Sequence, residues 1–138
     1  MPARDFYHDT VRNALLKDGW TITDDPFTIK WGGRNTFVDL AAERLISAEK
    51  EGERIAVEIK SFVGASELAD FETALGQYCV YLTLLERVDP GRRLYLAIPQ
   101  EVAEGLFLEP IGQVVIERYA ISLISFDPNT ETILRWKT

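Results

Sequence analysis

The apolar residues of the chain recur with helical spacing in three stretches, which predicts three helical regions. The first covers residues 5–18, where apolar positions three or four apart form one stripe and Gly19 is a natural stop. The second covers residues 66–87 and begins on a serine suited to cap its first turn. The third covers residues 100–119 and is interrupted at Pro110.

Between these helices the pattern alternates with period two or becomes wholly apolar, which predicts strands. The predicted strands cover the stretch TFVDLAAE from Thr36, residues 45–49, 54–61 and 94–99, and the stretches ISLISF and ETILRW, and residues 28–31 are expected to form an extended segment before them. Turns are expected at Gly32-Gly33, Glu51-Gly52 and Asp127-Pro128-Asn129. Residues 41–50 also fit a helix by propensity, but we favour a hairpin there, with its turn at Glu51-Gly52.

A strand, a long helix and an apolar strand in succession predict a right-handed crossover, so the strands at 54–61 and 94–98 should run parallel. The whole order is α-β-β-β-α-β-α-β-β. It predicts an α/β (α+β) fold in which helices flank a mixed central β-sheet. No linker, repeat or low-complexity tract interrupts the pattern, so residues 1–138 are expected to form a single domain.

Composition narrows the class of protein. With 138 residues and 46% hydrophobic residues, the chain can bury one core without covalent staples. Its one cysteine, Cys79, excludes a disulfide within the chain and fits a reducing cytoplasm, which is the expected location. No run reaches the roughly 18 apolar residues of a membrane span, and MPARDFYHD lacks the apolar region of a secretory signal. The net charge of −7 argues against broad binding to phosphate backbones.

Candidate chemistry lies in the stretch IAVEIKSF, residues 55–62. Because strand side chains alternate, Glu58 and Lys60 share one face. Asp39 stands nineteen residues before Glu58 in an apolar stretch. If the two strands are neighbours, the two carboxylates converge with Lys60 beside them.

Two carboxylates with a backbone carbonyl, here that of Ile59, offer the oxygen ligands that Mg²⁺ or Mn²⁺ prefers. Such an ion activates water for attack on phosphorus. Lys60 is then suited to orient that water or to offset charge on the phosphorus. The alternative is an ordinary ion pair on a solvated strand face, which contributes only about 0.2–1 kcal/mol.

Two neighbouring elements carry further candidates. Gln77 and Tyr81 are four apart on the second helix and share a face, so Gln77 could hydrogen-bond the lysine or a phosphate; a polar helix edge is the alternative. At the start of the first helix, Asp5, His8 or Asp9 could supply an outer ligand or base, although a solvated face is the commoner role there.

These residues resemble a known family. Asp39, then Glu58-x-Lys60, a helix and a buried parallel strand resemble the restriction-endonuclease-like core of PD-(D/E)xK nucleases, and Gln77 to Tyr81 resembles the Gln-x-x-x-Tyr element of RecB-type members. More specifically, the chain resembles the XisH family, the cyanobacterial fdxN element excision controlling factors. The stretches that carry this likeness are MPARDFYHDTVRNALLKDGWTITDDPFTI, VDLAAERLISAEKEGERIAVEIKSF, FETALGQYCVYL, RLYLAIP and ILRWK. One position departs from the motif, since Val38 stands where a proline would precede the aspartate.

The resemblance implies a part in site-specific DNA excision during heterocyst differentiation, together with a recombinase and a companion protein, XisI. It implies a Mg²⁺-dependent nuclease with Asp39, Glu58 and the Ile59 carbonyl as metal ligands, Lys60 and Gln77 as catalytic residues, and Asp9 and Tyr81 in support. The alternative is a non-catalytic accessory protein that binds XisI or the recombinase on a nuclease-like scaffold. The acidic net charge favours that alternative, and the C-terminal hairpin ending near Trp136 is then the expected interface. A homodimer is also possible.

Overall fold

The computed structural model of the chain describes residues 5–44 and 52–138. The helices are α1 (His8–Lys17), α2 (Glu67–Val88), α3 (Gln100–Glu104) and α4 (Pro110–Tyr119), with a 3₁₀ turn at Leu106–Leu108. The strands are β1 (Thr21–Asp24), β2 (Phe27–Trp31), β3 (Arg34–Val38), β4 (Leu40–Arg44), β5 (Glu53–Ile59), β6 (Arg92–Pro99), β7 (Leu123–Asp127) and β8 (Thr132–Lys137). Across these two ranges, no helix is both long and apolar enough to cross a bilayer.

The main sheet has six strands in the order β1-β4-β5-β6-β7-β8. Strands β5, β6 and β7 run parallel, whereas the outer pairs are antiparallel. Strands β2 and β3 form a separate two-stranded ribbon. The mixed sheet and the parallel pairing of β5 with β6 confirm the predicted fold class.

Helices cover both faces of this sheet. Val11 and Leu15 of α1 pack against Ile55, Val57 and Ile59 on one face of β5. The other face of β5 lies beneath α2, whose buried residues join the core that contains Ala56. A central strand covered on both faces must be apolar almost throughout. A charged residue in β5 is therefore an exception that calls for a reason.

Helix α2 follows the prediction closely. It begins at Glu67, and the Ser66 hydroxyl accepts the N–H of Ala69, which caps its first turn. Helix α1 begins at His8, three residues later than predicted, because Asp5 holds the preceding residues in a turn.

The stretch TFVDLAAE is not one strand, and this prediction was wrong. The chain breaks at Asp39, so that β3 pairs with β2 in the ribbon and β4 pairs with β1 and β5 in the main sheet. The alternation continues through the break because Val38 and Leu40, on either side of Asp39, are both buried, and only the different partners of β3 and β4 reveal the break. The predicted strand at 45–49 and most of its turn lie outside the described residues, and the observed hairpin partner of β5 is β4.

Two further elements differ from expectation. Residues 100–119 form two helices and a 3₁₀ turn, because α3 ends at Gly105 and Pro110 begins a new helix at its first position rather than interrupting one. Strand β1 was missed because it is a short edge strand with a mostly exposed burial pattern, which leaves no alternation to read. The turn at Gly32-Gly33 is confirmed, with φ of 59° and 79°, the positive values that a two-residue hairpin turn requires.

Candidate metal centre

The break at Asp39 and the end of β5 bring two carboxyl groups together. The register that pairs Leu40 with Val57 continues to place Asp39 beside Glu58. The N–H of Asp39 donates to Glu58 Oε1 at 3.4 Å, and Asp39 Oδ2 accepts the N–H of Ile59 at 2.7 Å. The predicted convergence of the two side chains is therefore what the fold produces.

Glu58 is buried and Asp39 is partly buried, and the pKa values of both carboxyl groups respond. Burial, followed by the neighbouring Asp39, raises the pKa of Glu58 to about 9. Burial also raises the pKa of Asp39, although the hydrogen bond from the Ile59 N–H opposes this. Since two carboxylates this close do not both ionise readily, the pair retains a proton at neutral pH. A divalent cation would replace that proton, so the donor chemistry of the pair fits Mg²⁺ or Mn²⁺.

The interpretation of Glu58 as part of a solvated ion pair does not hold, because only 6% of the residue is exposed. Lys60 is half-buried, and its charge lowers the pKa of Glu58 against the larger effects of burial and Asp39, so it acts on the same pair. The Lys60 N–H donates to Ala97 of β6, whereas the Ile59 N–H faces Asp39. Within a strand, the N–H and C=O of one residue point to the same edge, so the Ile59 carbonyl faces Asp39 as well.

Helix α2 brings Tyr81 to the pair. Burial, followed by the charges of Glu58 and Asp39, raises the pKa of Tyr81 to about 12. Gln77 lies one turn earlier on the same helix, and its Oε1 is buried without a hydrogen-bond partner. A buried amide oxygen without a partner is uncommon and indicates a place for a donor that a ligand or Lys60 could supply.

The residues of the N-terminal segment that act on the carboxyl pair are Asp5 and His8, whereas the resemblance implied Asp9 as the supporting residue. Asp9 is exposed on α1. The largest effects on the pKa of Asp39 are burial and the hydrogen bonds with Ile59 and Glu58. Two smaller effects come from the N-terminal segment, where the charge of His8 lowers this pKa and that of Asp5 raises it. An aspartate just before the helix that can cap its own turn is the signal that could have favoured Asp5 over Asp9.

Hydrogen bonds hold both Asp5 and His8 in place. Asp5 Oδ2 accepts the N–H of Ser61 at 3.1 Å, directly after Lys60, and Asp5 Oδ1 accepts the N–H of Tyr7 at 2.9 Å. His8 is buried, and its Nε2 lies 2.7 Å from Asp25 Oδ1. Asp5 therefore ties the start of α1 to the end of β5.

We expect Asp5→Ala to lower the stability of the protein by about 1–2 kcal/mol, because two backbone N–H groups lose their acceptor. The matched control is Glu72→Ala, which removes the same charge from an exposed position on α2 and should change stability by less than about 0.5 kcal/mol. Denaturant unfolding of both variants measures the difference. Equal losses in the two variants would contradict the bridging role of Asp5.

Asp39 and Glu58 alone provide few ligands for a metal ion. Within residues 5–44 and 52–138, no group of three or more His, Cys, Asp or Glu side chains is arranged to hold a metal ion. Any ion at Asp39 and Glu58 therefore needs the Ile59 carbonyl and water as further ligands. Mg²⁺ commonly keeps several waters and uses one or two carboxylates, so a site of this size suits it.

Fold and site together define a mixed α/β protein with a buried acidic pair and a lysine at the carboxyl end of a central strand. The family model described as XisH protein matches residues 1–134. The chain belongs to the XisH family, as its sequence predicted.

Solved structures agree with this assignment. An XisH family protein from Nostoc punctiforme PCC 73102 is 41% identical, with a TM-score of 0.89 over 97% of this chain and 100% of that one. A fdxN element excision controlling factor protein from Anabaena variabilis is 40% identical, with a TM-score of 0.87 over 98% of this chain and 100% of that one. Among curated proteins, none matches the chain.

Proposed function

We propose that this protein is a metal-dependent nuclease of the PD-(D/E)xK type that hydrolyses DNA phosphodiesters during excision of a fdxN-like element. The observation that carries the proposal is the buried carboxyl pair of Asp39 and Glu58, with Lys60 beside it at the end of β5. The relative from Anabaena variabilis is called a fdxN element excision controlling factor, which supports the link to excision. Membership of the restriction-endonuclease-like superfamily is part of this proposal. It is supported by the succession of β5, which carries Glu58, helix α2 and the parallel strand β6.

Asp39, Glu58 and the Ile59 carbonyl would hold Mg²⁺ or Mn²⁺. When bound, the ion supplies Lewis-acid polarisation of a phosphoryl oxygen and a lowered pKa of bound water. Lys60 orients the attacking water and offsets the negative charge that develops on the phosphorus. A compact ammonium on a flexible stem suits this role better than a planar guanidinium.

Helix α2 supplies polar support to the same site. With its pKa raised to about 12, the Tyr81 hydroxyl keeps its proton at neutral pH and acts as a hydrogen-bond donor. The Oε1 of Gln77 has no hydrogen-bond partner, and in the loaded site it would accept from the Lys60 ammonium and thereby limit its positions. The two residues hold the lysine and the substrate phosphate in place without taking part in proton transfer.

A second candidate function is that of an accessory protein that binds an XisI-like companion or the recombinase. The favouring observation is a set of exposed apolar side chains at the start of α4, with Leu108 just before the helix 64% exposed and Ile111 and Val114 on it 45% and 62% exposed. The interface expected at the C-terminal hairpin is less favourable. Trp136 packs against Trp20 and Tyr95 and is partly buried, so its ring serves the core.

Calorimetric titration of Mn²⁺ and Mg²⁺ into metal-freed protein tests the nuclease proposal directly. The wild type should bind a cation, and Asp39→Asn, which keeps the shape of the side chain, should lose measurable affinity because half of the carboxylate charge is gone. The wild type should also cleave plasmid DNA with either cation. Cation binding that survives Asp39→Asn unchanged would overturn the assignment of the site.

A further inference from the structure

The ribbon formed by β2 and β3 leaves the body of the protein. Ile29 and Trp31 lie on the same face of β2, since strand side chains alternate. Ile29 is 1% exposed and belongs to the core beneath α2, whereas Trp31 is 50% exposed. The ribbon therefore separates from the core between these two residues and ends in an exposed Gly32-Gly33 turn.

The tip of the ribbon is basic in an acidic chain. Residues 28–38 include Lys30 and Arg34 and no aspartate or glutamate, although the whole chain has a net charge of −7. Arg34 is paired with Trp31 and shares its face, whereas Lys30 is paired with Asn35 on the opposite face. All four side chains are exposed, so the tip presents a cation on each face of the ribbon.

The tip also lies close to the carboxyl pair. Asp39 lies five positions after Arg34 in the chain, and a strand rises about 3.3 Å per residue. The Cα atoms of the two residues therefore lie within about 17 Å of each other. At about 3.4 Å per base pair, this distance spans about five base pairs of duplex DNA. A duplex whose phosphate sits at Asp39 and Glu58 is therefore within reach of the tip.

We propose that the β2–β3 ribbon is a DNA-binding arm that enters a groove of duplex DNA beside the cleavage site. The major groove, about 12 Å wide, admits a two-stranded ribbon. Phosphate backbones flank a groove on both sides, and Lys30 and Arg34 on opposite faces of the ribbon each meet one of them. Trp31 then packs at the tip against the duplex. This inference rests on the proposed function, because it takes DNA as the substrate.

Fluorescence anisotropy with a labelled duplex, without divalent cations, tests the arm apart from the metal site. The test variant is K30A/R34A. The matched control is R87A/R93A, which removes the same charge from exposed positions in the last turn of α2 and near the start of β6. At about 50 mM salt we expect K30A/R34A to bind at least about tenfold more weakly, and its salt slope to fall by about two, one for each lost phosphate contact.

Several outcomes would overturn the assignment of the β2–β3 ribbon as a DNA-binding arm. They are an unchanged affinity of K30A/R34A, an equal loss in R87A/R93A, no duplex binding by the wild type, and tighter binding of a single strand of the same sequence. Loss of binding to another protein, with duplex affinity retained, would assign the ribbon to a protein partner instead. Mn²⁺ titration of K30A/R34A should match the wild type, so failure of the arm is distinguishable from failure of the metal site.

Discussion

Replacing Glu58 with glutamine is expected to stabilise the metal-free protein at about pH 8, by about 2 kcal/mol or roughly 5–8 °C in Tm. Burial and the neighbouring Asp39 raise the pKa of Glu58 from its ordinary 4.5 to about 9 in the folded protein. Between these two values the folded chain binds more protons than the unfolded chain, so stability falls as the pH rises from about 4.5 to about 9. A glutamine at this position does not ionise, so the variant does not lose this stability as the pH rises.

Thermal unfolding in the presence of a chelator, at about pH 5 and about pH 8, measures this effect. The wild type should lose stability at the higher pH, whereas Glu58→Gln should lose much less and should also fail to bind Mn²⁺. Glu72→Gln is the control, because it changes an exposed glutamate on α2 and should follow the wild-type profile. Identical profiles for the wild type and Glu58→Gln would show that no proton is held at this pair.

The opposing effects of Glu58→Gln on stability and cation binding would identify the pair as a functional feature. A buried pair of carboxyl groups lowers stability, and a solely structural role would favour an apolar or amide side chain at the same place. Functional sites commonly retain such unfavourable arrangements because the chemistry needs them. Stability and function are thus separated at one residue, which makes this the most informative single substitution.

Lys60→Ala is expected to slow DNA cleavage by about 10²–10⁴-fold while cation affinity stays within severalfold of the wild type. The reason is that Lys60 acts on the water and the developing phosphorus charge, whereas Asp39 and Glu58 supply the ligands. Single-turnover cleavage of a duplex and Mn²⁺ titration measure the two effects separately. Lys137→Ala, on the exposed end of the edge strand β8, is the charge-matched control and should cleave normally.

The same variant separates the two candidate functions in cells. If cleavage drives excision, Lys60→Ala should abolish excision of the element. Excision that persists in Lys60→Ala would reject the catalytic role and favour the accessory role. In that case Val114→Arg, which places a charge among the exposed apolar side chains at the start of α4, should be the variant that blocks excision.

The sequence by itself determined the elements that depend on local pattern. The apolar stripe and serine cap of α2, the Gly32-Gly33 turn and the apolar strand β6 follow from neighbouring residues, since helix spacing, capping and positive φ are local properties. The parallel pairing of β5 and β6 also followed, because a strand–helix–strand crossover has one favoured hand. The pairing of Asp39 with Glu58 was predicted on the condition that their strands are neighbours, and they are.

Only the tertiary structure decided where strands change partners and which charges are buried. The break at Asp39 leaves the alternating pattern intact, because Val38 and Leu40 are both buried, each in a different core cluster. Asp5 joins the site through the backbone of Ser61, fifty-six residues away, and sequence spacing carries no trace of such a contact. The exposure of Glu58 was likewise undetermined, since the pattern Glu-x-Lys is the same on a solvated face and beneath a helix. Burial beneath α2 makes this carboxyl retain its proton, and burial is a property of the assembled layers rather than of the strand.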